Sequence, residues 1–249
     1  MISLKKAKYF ADPWPHVVVT DIISDKTALD VLTNNPQLIN YLRDISDLPL
    51  RGELNAKQIE DMQDFPQVIK DVLLKLDNST AVKNLLHKHF IPVMTEHYGM
   101  LTEEEIKDFT KYQFTYGGYP GTPEDYLGIP LKNTHIDGRH KYYTGMMYFR
   151  EPGDEDTGAN FYLEKYDDEG NKIGEKKIEY KNNIAIFWPN LTTSWHRAES
   201  RNIVTSSTRR FINFVAEGEK PLHDYHAKTQ SNDYDGTKRY GWQEVKKRT

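Results

Sequence analysis

From residue 111 onward the chain changes character, and no other feature constrains its fold as strongly. Short aromatic and β-branched runs (KYQFTYGGY, YYTGMMYF, ANFYLEKY, KKIEYKNNIAIFW and RRFINFVAE) alternate with turn-forming clusters such as EPGDEDTG and DDEGNKIG. Such side chains suit a pleated, half-buried surface, and Gly, Pro, Asn and Asp supply the turns between strands. Many short strands so punctuated predict an antiparallel sandwich or barrel. The first 110 residues read differently. After one opening strand, HVVVTDII, Ser24 or Asp25 caps a helix through KTALDVLTNN that Pro36 stops. QLINYLRDI carries Leu38, Ile39, Leu42 and Ile45 on one helical face, and a longer helical pattern runs from Pro66 to Phe90 with a pause at Asp77, Asn78 and Ser79. Thr102 with Glu103, Glu104 and Glu105 behind it predicts a capped short helix whose acidic first turn suits the helix dipole.

The apolar faces of these helices need a sheet to cover them. The expectation is therefore a single α+β domain over 1–249, with 1–110 as mainly helical support, 111–220 as the strand core and 221–249 as a polar C-terminal extension. The chain has no cysteine, which excludes disulfides, zinc knuckles, iron–sulfur clusters and thiol nucleophiles. A net charge of −4 gives no support for a nucleic-acid or anionic-membrane partner. The N-terminus lacks the apolar core of a signal peptide and no apolar stretch approaches membrane-spanning length, so the expected location is cytoplasmic. The sequons at Asn78 and Asn190 then carry no meaning. Nothing in the sequence sets the oligomeric state.

His135 and Asp137, in NTHIDGRHKYYTGMMYF, lie two positions apart just before a strand-like run, and alternate residues of an extended segment share a face. His196 follows the apolar run NIAIFW, 59 residues after Asp137 (196 − 137). The other histidines lie on the helical half, before the opening strand, in the polar tail, or, for His140, beyond the pair. Arg209 or Arg210 follows on the last apolar strand, where a buried guanidinium offers a bidentate fork to a carboxylate. Tyr148 ends the strand that the His–Asp pair introduces, and its hydroxyl can serve the same carboxylate. Each feature alone has an ordinary explanation: a polar pair in a turn, a strand-edge charge, one core tyrosine among 16. Their coincidence is what carries weight. Two histidines and one carboxylate on a β framework form the facial triad of non-haem Fe(II) oxygenases, which leaves three coordination positions open. Zinc hydrolases favour His-rich or Cys-containing ligand sets and magnesium sites favour carboxylates, so this set favours iron.

The stretch from His135 to Val215 resembles the double-stranded β-helix (jelly-roll) core of the 2-oxoglutarate- and Fe(II)-dependent oxygenases, in particular the prolyl 4-hydroxylase-like branch. The segments that carry the resemblance are HID, YYTGMMYFREPGDEDTGANFYLEKY, NNIAIFWPN with the following WHRA, and TRRFINFV. PHVVVTDIISDKTALDVL also resembles the family's opening strand and helix. The resemblance implies an α+β fold with a jelly-roll core and N-terminal helices packed on the major sheet. It implies that His135, Asp137 and His196 are iron ligands, that Arg209 or Arg210 binds the distal carboxylate of 2-oxoglutarate, that Tyr148 supports it, and that Tyr116 faces the site. The implied cofactors are Fe(II), 2-oxoglutarate as cosubstrate and O₂, with ascorbate as an accessory. The implied reaction decarboxylates 2-oxoglutarate to succinate and CO₂ while hydroxylating an unactivated C–H.

Strand alternation separates the two arginines. An inward Arg209 brings Phe211, Asn213 and Val215 inward and turns Ile212 and Phe214 toward the helices, and an inward Asn213 can then hydrogen-bond near the ligand. An inward Arg210 would press the Asn213 amide against the helical layer, where an unpaired amide costs free energy. Arg209 is the expected carboxylate residue. Two departures from the family bear on substrate: the Gly-Gly turn is altered, with Thr157, Gly158, Ala159 and Asn160 in place of its second Gly, and ESRNIVTSS (199–207) is longer than in compact members. The first substrate expected by resemblance is a prolyl or other peptidyl side chain, and the second is a free amino acid or small metabolite. The loop 150–160 and the extension are expected to shape the entrance. A non-catalytic jelly-roll binding module and a cupin-like metal hydrolase or isomerase are the competing classes.

Overall fold

The computed structural model describes residues 2–44, 51–119, 132–151, 153–154, 158–199 and 207–224. In chain order the elements are β1 (Ala7–Phe10), β2 (His16–Thr20), α1 (Lys26–Asn34), α2 (Pro36–Asp44), β3 (Gly52–Leu54), α3 (Ala56–Glu60), α4 (Gln67–Asp77), α5 (Thr80–Tyr98) and α6 (Glu103–Lys107). Then follow β4 (Lys111–Tyr119), β5 (Lys132–His135), β6 (Lys141–Phe149), β7 (Phe161–Tyr166), β8 (Lys172–Ile178), β9 (Ile184–Pro189), β10 (Trp195–Ala198) and β11 (Arg209–Glu217).

Helices α1, α3, α5 and α6 start where a side chain satisfies a free N–H group, whereas α4 starts after Pro66 without one. Asp25 accepts from the Ala28 N–H at the head of α1, and Thr102 and Glu105 form a reciprocal capping box on α6. Ser79 accepts from the Val82 N–H, so the pause at 77–79 is the end of α4 and the capped start of α5.

The strands form a seven-stranded sheet, β1-β2-β9-β6-β11-β4-β3, and a four-stranded sheet, β5-β10-β7-β8. From β4 to β11 the chain passes back and forth between the two sheets: β4, β6, β9 and β11 lie in the larger, β5, β7, β8 and β10 in the smaller. That is the jelly-roll arrangement, and β1, β2 and β3 extend its larger sheet at both edges.

Register divides the larger sheet into two faces. Ile212, Phe214 and Ala216 of β11 join Phe114, Tyr116, Tyr143, Met147 and Phe187 in one buried cluster with Leu32, Leu73, Leu86 and Phe90 of the helices. The alternate positions Phe211, Met146, Tyr148, Ile186 and Trp188 join Phe161 and Leu163 of the smaller sheet in a second cluster. The side chains of greatest chemical interest lie on this second face.

The elements differ from the sequence-based expectation in several places. β1, β3 and α3 were not expected; α3 is set by a capping box between Asn55 and Gln58. The run KKIEYKNNIAIFW is two strands, parted near Asn183, which takes a left-handed φ of 61° and holds both backbone groups of Ile23 with its amide. Most of 199–207, Thr157 and the part of the extension beyond Asp224 lie outside the described residues. No helix among the described residues is long and apolar enough to cross a membrane.

Candidate metal centre and its cavity

His135 is the last residue of β5 and His196 the second of β10, and antiparallel pairing sets them directly opposite each other. Their ring centroids are 4.3 Å apart. Asp137 does not sit on the strand. It lies two residues beyond it, in a turn closed by Lys141 N–H to Gly138 O at 2.9 Å. The Asn190 amide donates to Gly138 O at 3.0 Å and Lys141 O at 2.9 Å, and lies 3.2 Å from His223 Nε2. The larger sheet thus fixes the turn that carries Asp137, while the smaller sheet carries both histidines.

Two of the three ligand candidates, His196 and Asp137, are oriented by further groups. His196 Nδ1 lies 2.8 Å from Ser194 O, a group that can only accept, so Nδ1 carries the proton and Nε2 presents its lone pair. That Nε2 is 3.7 Å from Asp137 Oδ2. Asp137 Oδ2 accepts from Thr144 Oγ1 at 2.8 Å and Trp188 Nε1 at 3.2 Å, and Oδ1 accepts from Lys141 Nζ at 3.2 Å. Phe161, Trp188 and Trp14 surround the His196 ring with centroids at 5.2, 5.0 and 6.4 Å, which keeps bulk water from it.

One donor atom from each of His135, Asp137 and His196 lies within 4.8 Å of the others. Side chains bound to one ion at about 2.1 Å stand no more than about 4.2 Å apart. Shifts on the ångström scale close the set onto a single ion, so the residues fit a metal of the two-His, one-carboxylate kind.

The same cavity is lined by Arg51, Tyr119, Thr144, Met146, Tyr148 and Arg209, among others. Arg209 is 1% exposed. Its Nε donates to Ala159 O at 3.1 Å, and its Cζ lies 4.8 Å from the Tyr148 ring centroid. Ala159 itself takes a left-handed φ of 62°, the conformation a glycine would adopt freely, and so aims its carbonyl at Arg209. Arg209 Nη2 and the Tyr148 hydroxyl are both buried without a hydrogen-bond partner. An unpaired buried donor costs roughly 1–3 kcal/mol, more when charged. Burial raises the Tyr148 pKa against the pull of Arg209, so the phenol keeps its proton and remains a donor. A guanidinium nitrogen and a hydroxyl left unsatisfied in one cavity can form a seat for an anion.

Arg210 points the other way. It lies near Asn35 O and Thr208 O at 3.5 and 3.4 Å and pairs with Glu151, and burial lowers its pKa. Asn213 lines the cavity, with its amide donating to Glu53 Oε2 at 3.0 Å. The expectation that Tyr116 faces the site is corrected. Tyr116 pairs with Ile212 on the helix-facing side, and its hydroxyl donates to Leu32 O at 2.7 Å. The inward tyrosine of β4 is Tyr119, directly opposite Arg209. Sequence reasoning also missed Arg51, Lys141, Thr144 and Trp188. The spacing of Thr144 along the strand after Asp137 was the one available signal.

No protein-family model matches the chain, and no curated protein matches it. Among solved structures it is similar to a protein of Shewanella oneidensis described as a candidate oxygenase, at 11% identity and a TM-score of 0.51, covering 82% of this chain and 81% of that one. It is also similar to a prolyl hydroxylase of Trichoplax adhaerens solved with a peptide fragment of hypoxia inducible factor, at 15% identity and a TM-score of 0.48, covering 82% and 83%. A Pseudomonas putida prolyl-4-hydroxylase gives 8% identity and a TM-score of 0.48, covering 82% and 93%. At such identities the first likeness speaks for the fold alone, and the other two add no weight to it.

Proposed function

We propose that the chain is an Fe(II)- and 2-oxoglutarate-dependent oxygenase that hydroxylates an unactivated C–H. The observation that carries this reading is the presence, in one cavity, of a two-His, one-carboxylate set beside a buried guanidinium nitrogen and a buried phenol hydroxyl that have no hydrogen-bond partner. Iron would be held by His135, Asp137 and His196, and the distal carboxylate of 2-oxoglutarate by Arg209 and Tyr148. Bound there, the metal and cosubstrate supply the oxidation, with succinate and CO₂ as coproducts. The chain's part is orientation and exclusion. Ser194 sets the His196 tautomer, Thr144 and Trp188 hold one Asp137 oxygen, and the rings of Trp14, Phe161 and Trp188 keep the ligand wall dry.

A non-catalytic binding module has no need of a ligand carboxylate held by three donors beside an anion seat. For substrate, the resemblance of the strand core supports a prolyl or other peptidyl side chain. Residues 1–110 act in this reading as support for the sheet within a single domain.

The test is succinate formation from 2-oxoglutarate under Fe(II). The wild type should produce it, and His135→Ala and Asp137→Ala should lose it while keeping the wild-type circular dichroism. Full succinate production by both variants would sink the assignment.

A further inference from the structure

We propose that Arg51 is a second, adjustable cation of the carboxylate seat, strengthening its hold on the distal carboxylate of 2-oxoglutarate, and that Glu53 limits how much of that charge the ligand meets. This rests on the proposed function and adds a residue that the ligand-binding strand β11 does not supply.

The placement comes from β3. This three-residue strand pairs with β4 so that Glu53 stands opposite Gly117, and Gly117 in turn stands opposite Phe211 of β11. A Cβ at position 117 would lie 2.1 Å from Gly52 O and 2.9 Å from Glu53 Cα, so only glycine lets β3 approach. The absent side chain leaves Phe211 open on that side, and the Arg51 guanidinium lies over its ring, 4.7 Å from the centroid. Arg51 thereby lines the same cavity as the metal triad and Arg209. Tyr119 connects the two cations: it is the cross-strand partner of Arg209, whose Cζ is 5.8 Å from its ring, and it interacts with Arg51.

The two arginines differ in setting. The Arg51 side chain is 29% exposed, against 1% for the Arg209 residue, so Arg209 forms the floor of the seat and Arg51 its rim. Glu53 accepts from Thr115 and Asn213 and is ion-paired with Arg51, which anchors the carboxylate and sets it in competition with an incoming anion for Arg51. Burial opposes the Arg51 charge, but Tyr119 and Glu53 outweigh it and hold the guanidinium protonated. The field of Arg51 also reaches the seat, since Arg51 joins Arg209 in pulling the Tyr148 pKa down against burial.

The test is a pair of titrations on Mn(II)-loaded protein by calorimetry, with 2-oxoglutarate and with 2-oxovalerate, which has a methyl in place of the distal carboxylate. Arg51→Met should weaken 2-oxoglutarate about tenfold and leave 2-oxovalerate unchanged. Glu53→Gln should tighten 2-oxoglutarate about threefold, a gain that loss of a purely structural contact would not give. Equal 2-oxoglutarate affinity in wild type and Arg51→Met overturns the inference, as does an equal loss for both acids. Should Arg51→Met fail to fold, Glu53→Gln decides alone, and an unchanged or weaker affinity overturns the inference. A wild type that binds no 2-oxoglutarate overturns the proposed function itself and this inference with it, whereas failure confined to the variants leaves that function standing.

Discussion

Arg209 and Arg210 are adjacent, chemically identical and each 1% exposed, yet their surroundings assign them different work. Arg210 is already paired, with Glu151. Each keeps one guanidinium nitrogen without a hydrogen-bond partner, Nε in Arg210 and Nη2 in Arg209, but it is Arg209 that lines the cavity. Removing one member of a buried, hydrogen-bonded charge pair costs roughly 3–5 kcal/mol, equivalent to about a hundredfold or more in affinity. Arg209→Ala should weaken 2-oxoglutarate binding to the metal-loaded protein by at least about a hundredfold, and Arg210→Ala should lower the unfolding midpoint with little effect on that affinity. Calorimetry and thermal melts on both variants check this, and the reverse ranking would contradict it. Trp188→Phe keeps a ring beside His196 but removes the N–H that orients Asp137. Partners of this kind are worth about 10–100-fold in metal affinity, so Mn(II) should bind the variant at least about tenfold more weakly. An unchanged Mn(II) titration would show that Thr144 and Lys141 suffice. The residues with distinctive chemistry, His135, Asp137, His196 and Arg209, could be picked out in the sequence. Thr144, Trp188 and Asn190 could not, because their roles come from contacts across the fold. Tyr116 was misplaced because alternation gives the parity of a strand only once its register is known, and Tyr116 shares a row with Ile212.

At the scale of elements, the strands that bring the site together are the hardest to read. β5 and β10 have four residues each, too few to declare themselves by propensity, and are held by pairing: β5 with β10, and β10 also with β7. β3 is shorter still and owes its place to Gly117. The helices other than α3 and the long strands β4, β6 and β11 were legible because their apolar periodicity and caps are local properties. Those strands bury Phe114, Tyr143, Met147, Ile212 and Phe214 in the cluster shared with the helices. Without α1–α6 this face would meet water. Expressed alone, 111–249 should therefore be insoluble or lack a cooperative unfolding transition. A fragment that unfolds cooperatively and binds Mn(II) would contradict the single-domain reading.

Across the whole molecule, the N-terminal residues close the far side of the ligand wall, and they bring a pH dependence with them. His16 is fully buried, with Nδ1 2.8 Å from Trp14 O and Lys176 Nζ 3.1 Å from Nε2. Burial, aided by Lys176, lowers its pKa from 6.5 to about 4 against the hydrogen bond to Trp14. The unfolded chain therefore takes up a proton below about pH 6.5 that the folded chain refuses until about pH 4. The stability contribution is complete above that window and falls through it as pH drops, by roughly 3 kcal/mol in all. Urea unfolding between pH 7.5 and 4.5 should show a steeper loss for the wild type than for His16→Gln, and parallel curves would contradict this. The central claim is that one cavity holds a metal on His135, Asp137 and His196 and a carboxylate on Arg209. Its most direct measurement is anomalous diffraction from crystals grown anaerobically with Mn(II) and 2-oxoglutarate. The account predicts one peak about 2.0–2.2 Å from a donor atom of each of the three side chains, with the distal carboxylate of 2-oxoglutarate on Arg209 and Tyr148. A peak that misses any of the three, or 2-oxoglutarate bound away from Arg209, would contradict it.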